Sequence, residues 1–423
     1  MSQLEQYKTL TDHLLRQAAG QPQQVALQYK YHGAWYFWNW QQLAKRVEQH
    51  AAALAADGFS AEDTLWLFSQ PHADVLILTL AAQWLGGSVS LLDEALSQDE
   101  LLQLISPYPN RYVFVENKAQ AARWFGLGLP ASLVLYRDVS IQHIQQAESI
   151  SGWLSQHSQI QHAAQPASAQ HIALHIYRPN SQQHSRQQNQ PEQLSVLVDR
   201  QSLKDTDLLQ EAEQLSKHAA LKSHDKALAT RGFDLAGQWR HLLATWLYAG
   251  FTYNFPETLE TRDQDRRELQ PTFLLGTPEN WARLSQLAQQ HLPSHRTWLG
   301  RWANQQLGQQ PVSTFDRVQQ GLVIRPLKQT LGLANVRVAL VATSQYGNNQ
   351  PGDQQATALD ADTERLLLAL GIQVVPWVDL VQWQPHALVD SLTASNDHQD
   401  FTAPDAGQTF EPTLTGSSVR GGV

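Results

Sequence analysis

Histidines are the most clustered residues in this sequence that could do coordination chemistry. His171 and His175 are four residues apart in a segment with strand character, which places both side chains on one face. Imidazoles at such spacing can bind zinc. Further histidines lie in the flanking Gln-rich segments, namely His157, His162 and His184. Because the sequence has no cysteine and no fixed ligand spacing, surface histidines in polar loops are the favoured interpretation, and no metal site is expected.

Two charged runs offer alternative chemistry. Asp360, Asp362 and Glu364 could form a metal cluster, but they precede a helix-period segment and are better explained as its cap and first-turn charges. The mixed charges of residues 262–268 predict a solvated helix face. No arrangement of Ser, His and Asp has a spacing that indicates a catalytic triad.

Composition excludes several classes of protein. The 423 residues carry 30 Lys and Arg against 39 Asp and Glu, a net charge of −9 with no basic stripe, so a nucleic-acid partner is not expected. The absence of cysteine excludes disulfides, thiolate metal sites and a cysteine nucleophile. The most apolar stretch, residues 73–92, contains Asp74, Gln83 and two glycines, which argues against a membrane span. Without a signal peptide, the expected location is the cytoplasm.

The elements that must position any site alternate between strands and helices. Apolar runs of strand length alternate with helix-period segments over residues 25–138 and again over residues 203–377. This order predicts an α/β fold of mostly parallel sheets covered by helices. Aromatic residues 35–40 alternate on the two faces of a predicted hairpin, where packing is favoured over a ligand-stacking surface.

Changes in composition predict the domain organisation. Residues 1–155 are expected to form an N-terminal α/β subdomain, and residues 194–383 a second one. Between them, residues 156–193 are Gln- and His-rich inserts around one strand, residues 172–177. Residues 384–423 are rich in Ser, Thr, Pro and Gly and predict a disordered tail.

Several segments in the second half of the chain match a known family in order and spacing. They are LYAGFTYNFPE from Leu247 to Glu257, RELQPT from Arg267 to Thr272, the tripeptide Gly276-Thr277-Pro278 followed by Trp281, and IRPLK from Ile324 to Lys328 before the strand of residues 336–341. With the N-terminal block, these segments resemble the AMP-forming acyl-CoA synthetases of the bacterial long-chain fatty-acid type, over roughly residues 10 to 380. The resemblance implies the large N-terminal domain of the acyl-adenylate-forming fold, in two subdomains, and we expect the C-terminal lid domain to be absent.

The phosphate loop of that family is not retained in this sequence. The family carries a glycine- and hydroxyl-rich loop ending in lysine, because backbone N–H groups must approach the phosphates closely. Here the corresponding positions are Tyr177, Arg178 and Ser181, with no glycine between Gly152 and Gly232. Proline and long amide side chains cannot rebuild such a cradle.

Other family positions also depart from the pattern. The magnesium-binding glutamate corresponds to Gln382, a poor ligand for a hard cation. The adenine-side glycines correspond to Ala342, Thr343 and Ser344, and a histidine near the acyl site is replaced by Asp234. The resemblance therefore implies loss of phosphate, metal and adenine contacts together.

Three functions stay open from the sequence. The favoured one is a pseudoenzyme that binds a protein partner or a fatty acyl ligand in lipid metabolism, with no catalytic residue and no cofactor. The alternative is a residual long-chain fatty acid–CoA ligase, which would need ATP, magnesium and CoA. A third is a sensor whose acyl tunnel still holds a fatty acid, favoured if residues 251–255 and 273–276 line a retained apolar space.

Overall fold

Strands and helices alternate along the chain, as the apolar periodicity predicts. The structure is a computed structural model that describes residues 7–137, 147–157, 171–180, 197–229, 235–258, 260–291, 324–342, 359–377, 381 and 383–387. The helices are α1 (Leu10–Gly20), α2 (Trp40–Ala56), α3 (Ala73–Trp84), α4 (Gln98–Ile105), α5 (Lys118–Phe125), α6 (Ile150–Gln156), α7 (Asp205–His218), α8 (Leu235–Gln238), a π-helix (Trp239–Leu243), α9 (Ala244–Ala249), α10 (Arg262–Leu269), α11 (Pro278–His291), α12 (residues 324–330) and α13 (Ala361–Ala369). The strands are β1 (Val25–Tyr31), β2 (Ala34–Asn39), β3 (Thr64–Phe68), β4 (Ser88–Leu92), β5 (Tyr112–Val115), β6 (Leu133–Tyr136), β7 (Glu148–Ser149), β8 (Ile172–Pro179), β9 (Leu197–Lys204), β10 (Lys226–Leu228), β11 (Thr252–Phe255), β12 (Phe273–Gly276), β13 (Val338–Ala342), β14 (Gln373–Trp377) and β15 (Gln384–Ala387).

Capping side chains determine where several helices begin. At α1, the Thr9 hydroxyl accepts from the backbone N–H of Asp12, and the Asp12 carboxylate accepts from the backbone N–H of Thr9. Asn39 and Gln42 form the same reciprocal pair at α2. Each pair satisfies N–H groups that the first helical turn cannot. Asp360 caps α13 by accepting from the Thr363 N–H at 2.8 Å, so the helix-cap interpretation of residues 360–364 is confirmed.

The strands form two sheets, both mostly parallel. One has seven strands in the order β14-β13-β12-β10-β11-β1-β2, and the other has eight in the order β15-β9-β8-β4-β3-β5-β6-β7. The antiparallel pairs are β1 with β2, β8 with β9, and β9 with β15. The α/β architecture predicted from the sequence is therefore confirmed.

One continuous core connects the two sheets. Eleven of the 12 residues of α3 are buried, as expected for a helix that is apolar on all sides and packed between layers. Trp40 of α2 stacks on Trp246 of α9 with ring centroids 4.9 Å apart. The indole N–H of Trp239 donates to the Thr79 hydroxyl of α3 at 2.8 Å, which satisfies both buried polar groups.

The subdomain boundary at residue 155 does not describe the sheets. The N-terminal hairpin β1–β2 pairs with β11, with Leu27 opposite Tyr253, whereas β8 and β9 extend the sheet built from β3 to β7. The described residues also fall within a single compact unit, residues 1–389. The predicted subdomains follow sequence order, whereas each sheet combines strands from distant parts of the sequence.

Two further expectations differ from the structure. Residues 384–387 form β15, so part of the expected tail belongs to a sheet, held by its pairing with β9. Arg262, Asp265 and Arg266 of α10 are buried, with exposed fractions of 3%, 0% and 5%, whereas Arg267 and Glu268 are exposed, so only one side of this run is a solvated face. The charges are compensated locally, because Lys30 donates to Asp265 at 2.8 Å and Arg266 donates to Asp263 at 2.9 Å.

Candidate functional site

Three antiparallel strands at one side of the eight-stranded sheet bring together the residues nearest to the expected phosphate loop. In the β8–β9 register, Tyr177 lies opposite Arg200 and Arg178 lies opposite Asp199. In the β9–β15 register, Arg200 lies opposite Gln384. Strand residues that are up to 207 positions apart in sequence, from Tyr177 to Gln384, therefore lie side by side across these three strands.

The guanidinium of Arg178 is engaged on two sides. Its Nε and Nη2 atoms each lie 3.3 Å from Oδ2 of Asp199. Asn180 donates to the other oxygen of the same carboxylate at 2.8 Å. The Trp383 ring covers the guanidinium, with its centroid 3.9 Å from the Arg178 Cζ atom. This charge is thus paired with a carboxylate and stacked on an aromatic face, an arrangement that stabilises arginine strongly.

Tyr177 packs into the interior and does not face a solvent-filled loop. Its side chain is fully buried between the Trp66 ring, at a centroid distance of 6.4 Å, and the His386 ring at 6.0 Å. Burial raises the pKa of the Tyr177 phenol above its usual value, because the phenolate would be desolvated. The Tyr177 carbonyl accepts from the Asp93 N–H at 3.0 Å, which joins β8 to the end of β4.

The histidines of this region do not form a metal site in the described part of the chain. His175 Nδ1 lies 3.0 Å from the Ser202 hydroxyl, and burial lowers the pKa of His175 to about 4. His171 Nδ1 lies 3.7 Å from Asp205. No group of three or more His, Asp or Glu side chains among the described residues could hold a metal ion. His162 and His184 lie outside the described residues.

The remaining expected site positions are only partly described. Ala342 is the buried last residue of β13, opposite Trp377 of β14. Ser181, Asp234, Thr343, Ser344 and Gln382 lie outside the described residues. Next to Gln382, the Val381 carbonyl accepts from the Gln201 amide at 2.5 Å, which attaches this segment to β9.

A buried polar chain continues from that contact toward α7. The side-chain amide oxygen of Gln201 accepts from Arg240 Nε at 3.1 Å, and Arg240 Nη2 donates to Glu211 at 2.7 Å. A second hydrogen bond makes the Arg240–Glu211 pair bidentate. The two side chains are 4% and 3% exposed, and Arg240 lies in the π-helix, a form that often marks functional sites.

A cleft of about 400 Å³ lies between α7 and β14, beside this polar chain. We call it the β14 cleft. Its lining is mainly apolar, with Leu215 on α7 and Val374, Val375, Pro376 and Trp377 on β14. The volume lies within the usual range for small-molecule sites. In the described part of the chain, β14 is also the outermost strand of its sheet.

The residues proposed to line an acyl tunnel lie elsewhere. Phe251 and Phe273 are fully buried and contact each other edge-on, with ring centroids 4.9 Å apart. They fill the core on the seven-stranded sheet and do not line the β14 cleft. Phe251 and Phe273 therefore do not meet the condition set for the sensor hypothesis, whereas Leu274, Leu275 and Gly276 line a small pocket beside α11.

Sequence reasoning missed the residues that hold Arg178 and those that line the β14 cleft. Asp199 and Trp383 belong to no motif, and their meeting with Arg178 depends on strand register across 205 positions. The β9 sequence LVDRQSLK does not alternate between apolar and polar residues, so it offered no clear signal for a partner strand of β8.

Comparison of the sequence with known protein families gives one match. The family model described as AMP-binding enzyme matches residues 14–360. No curated relative matches the chain in sequence.

Several solved structures share the fold. A Rhodopseudomonas palustris protein described as a long-chain-fatty-acid CoA ligase is 15% identical with a TM-score of 0.56, and the match covers 86% of this chain and 74% of that protein. A long-chain-fatty-acid-CoA ligase from Archaeoglobus fulgidus is 11% identical with a TM-score of 0.59, covering 87% and 63%. A benzoate CoA ligase from Burkholderia xenovorans is 14% identical with a TM-score of 0.59, covering 87% and 60%. The chain thus spans about three-fifths of the length of the last two. At these identities, the likeness concerns the fold alone.

Proposed function

Because the chain belongs to the AMP-binding enzyme family, we propose that it is a member that has lost adenylation and acts by binding. This proposal rests on the contacts of the Arg178 guanidinium, the first charged group after Tyr177. Its charge is matched by Asp199 and its face is covered by Trp383. A triphosphate bound at that position would have to displace both partners.

The sequence around Arg178 supports the same conclusion. No glycine lies between Gly152 and Gly232, and no lysine lies between Lys118 and Lys204. Backbone N–H groups can approach phosphate oxygens closely only where side chains leave room. Transfer of an adenylyl group relies on such preorganised electrostatic contacts.

The β14 cleft supports a fatty acyl chain as the bound ligand. Its apolar walls would remove methylene groups from water, at about 0.8 kcal/mol for each CH₂ buried. A protein partner that acts in lipid metabolism is the other form of this proposal. Residual fatty acid–CoA ligase activity, with ATP, magnesium and CoA, is the alternative that the experiments below must exclude.

Nucleotide binding is the first test. We expect titration with Mg-ATP, and with a non-hydrolysable acyl-AMP analogue, to give no heat and no change in the melting temperature. A ligand at 100 times its dissociation constant would stabilise the fold by about 2.7 kcal/mol, which would appear as a rise in the melting temperature. Binding of Mg-ATP would show that phosphate is still held and would return the ligase alternative to first place.

Filling the β14 cleft tests the acyl ligand. Gln214→Trp places a large ring at the exposed α7 side of the cleft, and we expect it to abolish binding of palmitate measured by calorimetry. Leu368→Trp is the matched control, because Leu368 is 64% exposed on α13. Equal palmitate binding by wild type and both variants would remove the β14 cleft as the ligand site and favour the protein partner.

A further inference from the structure

The small pocket beside α11 has three arginines in its lining. Arg262 and Arg266 come from α10, and Arg283 comes from α11. We call it the arginine pocket. Its other lining residues are uncharged, namely Leu274, Leu275, Gly276, Asn280, Trp281 and Leu284. It shares no lining residue with the β14 cleft, so its charge requires a separate explanation.

The three arginines share the carboxylate of Asp263. Its Oδ1 atom lies 2.9 Å from Nη1 of Arg266 and 3.7 Å from Nε of Arg262. Burial raises the pKa of Asp263, but the positive charges of Arg266, Arg262 and Arg283 outweigh this effect and hold the pKa below its usual value. Asp263 alone cannot neutralise three guanidinium groups.

Arg283 has no direct partner in the described part of the chain. Its side chain is half-buried, and it forms neither a hydrogen bond nor an ion pair with another described residue. Glu279, one turn earlier on α11, is not within ion-pair distance of it, and Asp263 acts on it only as a charge at longer range. The donors of the Arg283 guanidinium are therefore available to a ligand.

Arg266 is a buried cation that uses only part of its guanidinium. The residue is 5% exposed, its Nε donates to the Leu331 carbonyl at 2.9 Å, and its Nη1 donates to Asp263 at 2.9 Å. Its Nη2 donates no hydrogen bond within the described residues, although this atom keeps accessible surface. Because Arg266 lines the arginine pocket, a buried side chain presents an unused, accessible donor at a pocket wall, as expected where a ligand supplies the acceptor.

We propose that the arginine pocket binds a small inorganic oxyanion of the phosphate or sulfate class. Guanidinium groups donate paired N–H bonds in a fixed plane, which suits two oxygens of such an ion. The pocket has space of about 20 Å³, enough for one or two atoms of the size of water, so an oxyanion can insert its oxygens whereas an acyl chain does not fit. A bound anion would also offset the repulsion between Arg266 and Arg283. This inference is independent of the proposed loss of adenylation.

Calorimetric titration of the full chain with inorganic phosphate, in a chloride-free buffer of low ionic strength, is the test. We expect Arg283→Gln to bind phosphate about tenfold more weakly than wild type, because it removes charged donors from the pocket. Arg365→Gln is the matched control, since it removes the same charge from a side chain of α13 that is 66% exposed, and it should leave the affinity unchanged. Equal weakening in both variants would mean non-specific attraction of the anion, and absence of phosphate binding by wild type would overturn the proposal.

A second variant keeps the test decisive if Arg283→Gln unfolds. Asp263 competes with a bound anion for Arg266, so we expect Asp263→Asn to bind phosphate several-fold more tightly than wild type, a gain that misfolding cannot imitate. Asp362→Asn is its control, because it removes the same charge beside the exposed Arg365 and should not change the affinity. Unchanged phosphate affinity in Asp263→Asn would show that the anion does not contact Arg266 and that the pocket is wrongly assigned. Chloride binding as tight as phosphate binding would overturn the assignment to an oxyanion.

Discussion

At the scale of single residues, buried charges are tolerated where each has a close opposite charge. Arg240 and Glu211 are the clearest case, because both side chains are almost fully buried and form a bidentate pair. Removing one member of such a pair leaves an uncompensated charge in a region of low dielectric, whereas replacing both with apolar groups does not.

Glu211→Gln should therefore lower the free energy of unfolding by about 3–5 kcal/mol, as judged by urea denaturation. The double variant Arg240→Met, Glu211→Leu should lose much less. Arg365→Met removes an exposed pair with Asp362 and should change stability by less than about 1 kcal/mol. Similar losses for the exposed and the buried pair would contradict this account.

A buried histidine makes stability depend on pH. His50 is 2% exposed, and burial lowers its pKa from 6.5 to about 4, although its contact with the Arg46 carbonyl opposes the shift. The unfolded chain binds the proton first, so stability is lost as the pH falls from about 6.5 toward 4. The loss is on the order of 3 kcal/mol.

Urea denaturation between pH 7.5 and 4.5 measures this effect. His50→Gln should have a flatter stability profile over that range than wild type, whereas His224→Gln, at an exposed position, should retain the wild-type slope. Parallel profiles for all three proteins would mean that His50 is protonated in the native state.

At the scale of elements, the segment after α12 packs closely against α10, and Gly332 makes this close approach possible. Gly332 has φ +66°, and a Cβ at this position would lie 2.9 Å from the backbone nitrogen of Arg267 in α10. The neighbouring Leu331 carbonyl accepts from Arg266 Nε at 2.9 Å. A side chain at residue 332 would therefore push α10 away from this contact.

Gly332→Ala should destabilise the protein by at least about 1–2 kcal/mol, because it adds left-handed backbone strain and a clash with the backbone. Gly20→Ala is the control, since no atom lies within 4 Å of the added methyl group. Thermal unfolding of both variants checks the difference, and an unchanged melting temperature for Gly332→Ala would show that α10 shifts at no cost.

Most elements were predictable because their apolar periodicity is strong and their caps are local. The sequence analysis did not predict α1, β7, α6, β9, β10, α12 or β15, and all of these except α1 have eight residues or fewer. The Lys226–Leu228 strand has three residues, too few for a pattern, and its parallel neighbours β11 and β12 hold it in place. The contact of Trp383 with Arg178 could not be predicted, because it depends on the pairing of β15 with β9 and not on any local signal.

At the scale of the whole molecule, the core does not divide where the sequence suggests. A single apolar cluster includes Leu27 and Tyr253 from one sheet and Leu65 and Val89 from the other. Because both sheets share this cluster, neither should be stable alone.

In the described residues, no helix is both long and apolar enough to cross a membrane.

We therefore expect one cooperative unfolding transition for residues 1–389. Far-ultraviolet circular dichroism and tryptophan fluorescence should give coincident curves in urea, because all probes report the same event. Two separated transitions, or a stable fragment of residues 1–155, would show that the two sheets fold independently.

The pairing of β1 with β11 has a consequence for folding on the ribosome. Leu27 must wait for Tyr253 before its sheet can form, although the β1–β2 hairpin is made early. At roughly 5–20 residues per second of synthesis, this delay is on the order of ten seconds or longer. During that time the edge of β1 that later pairs with β11 has no neighbouring strand, so the nascent hairpin would be a target for chaperones.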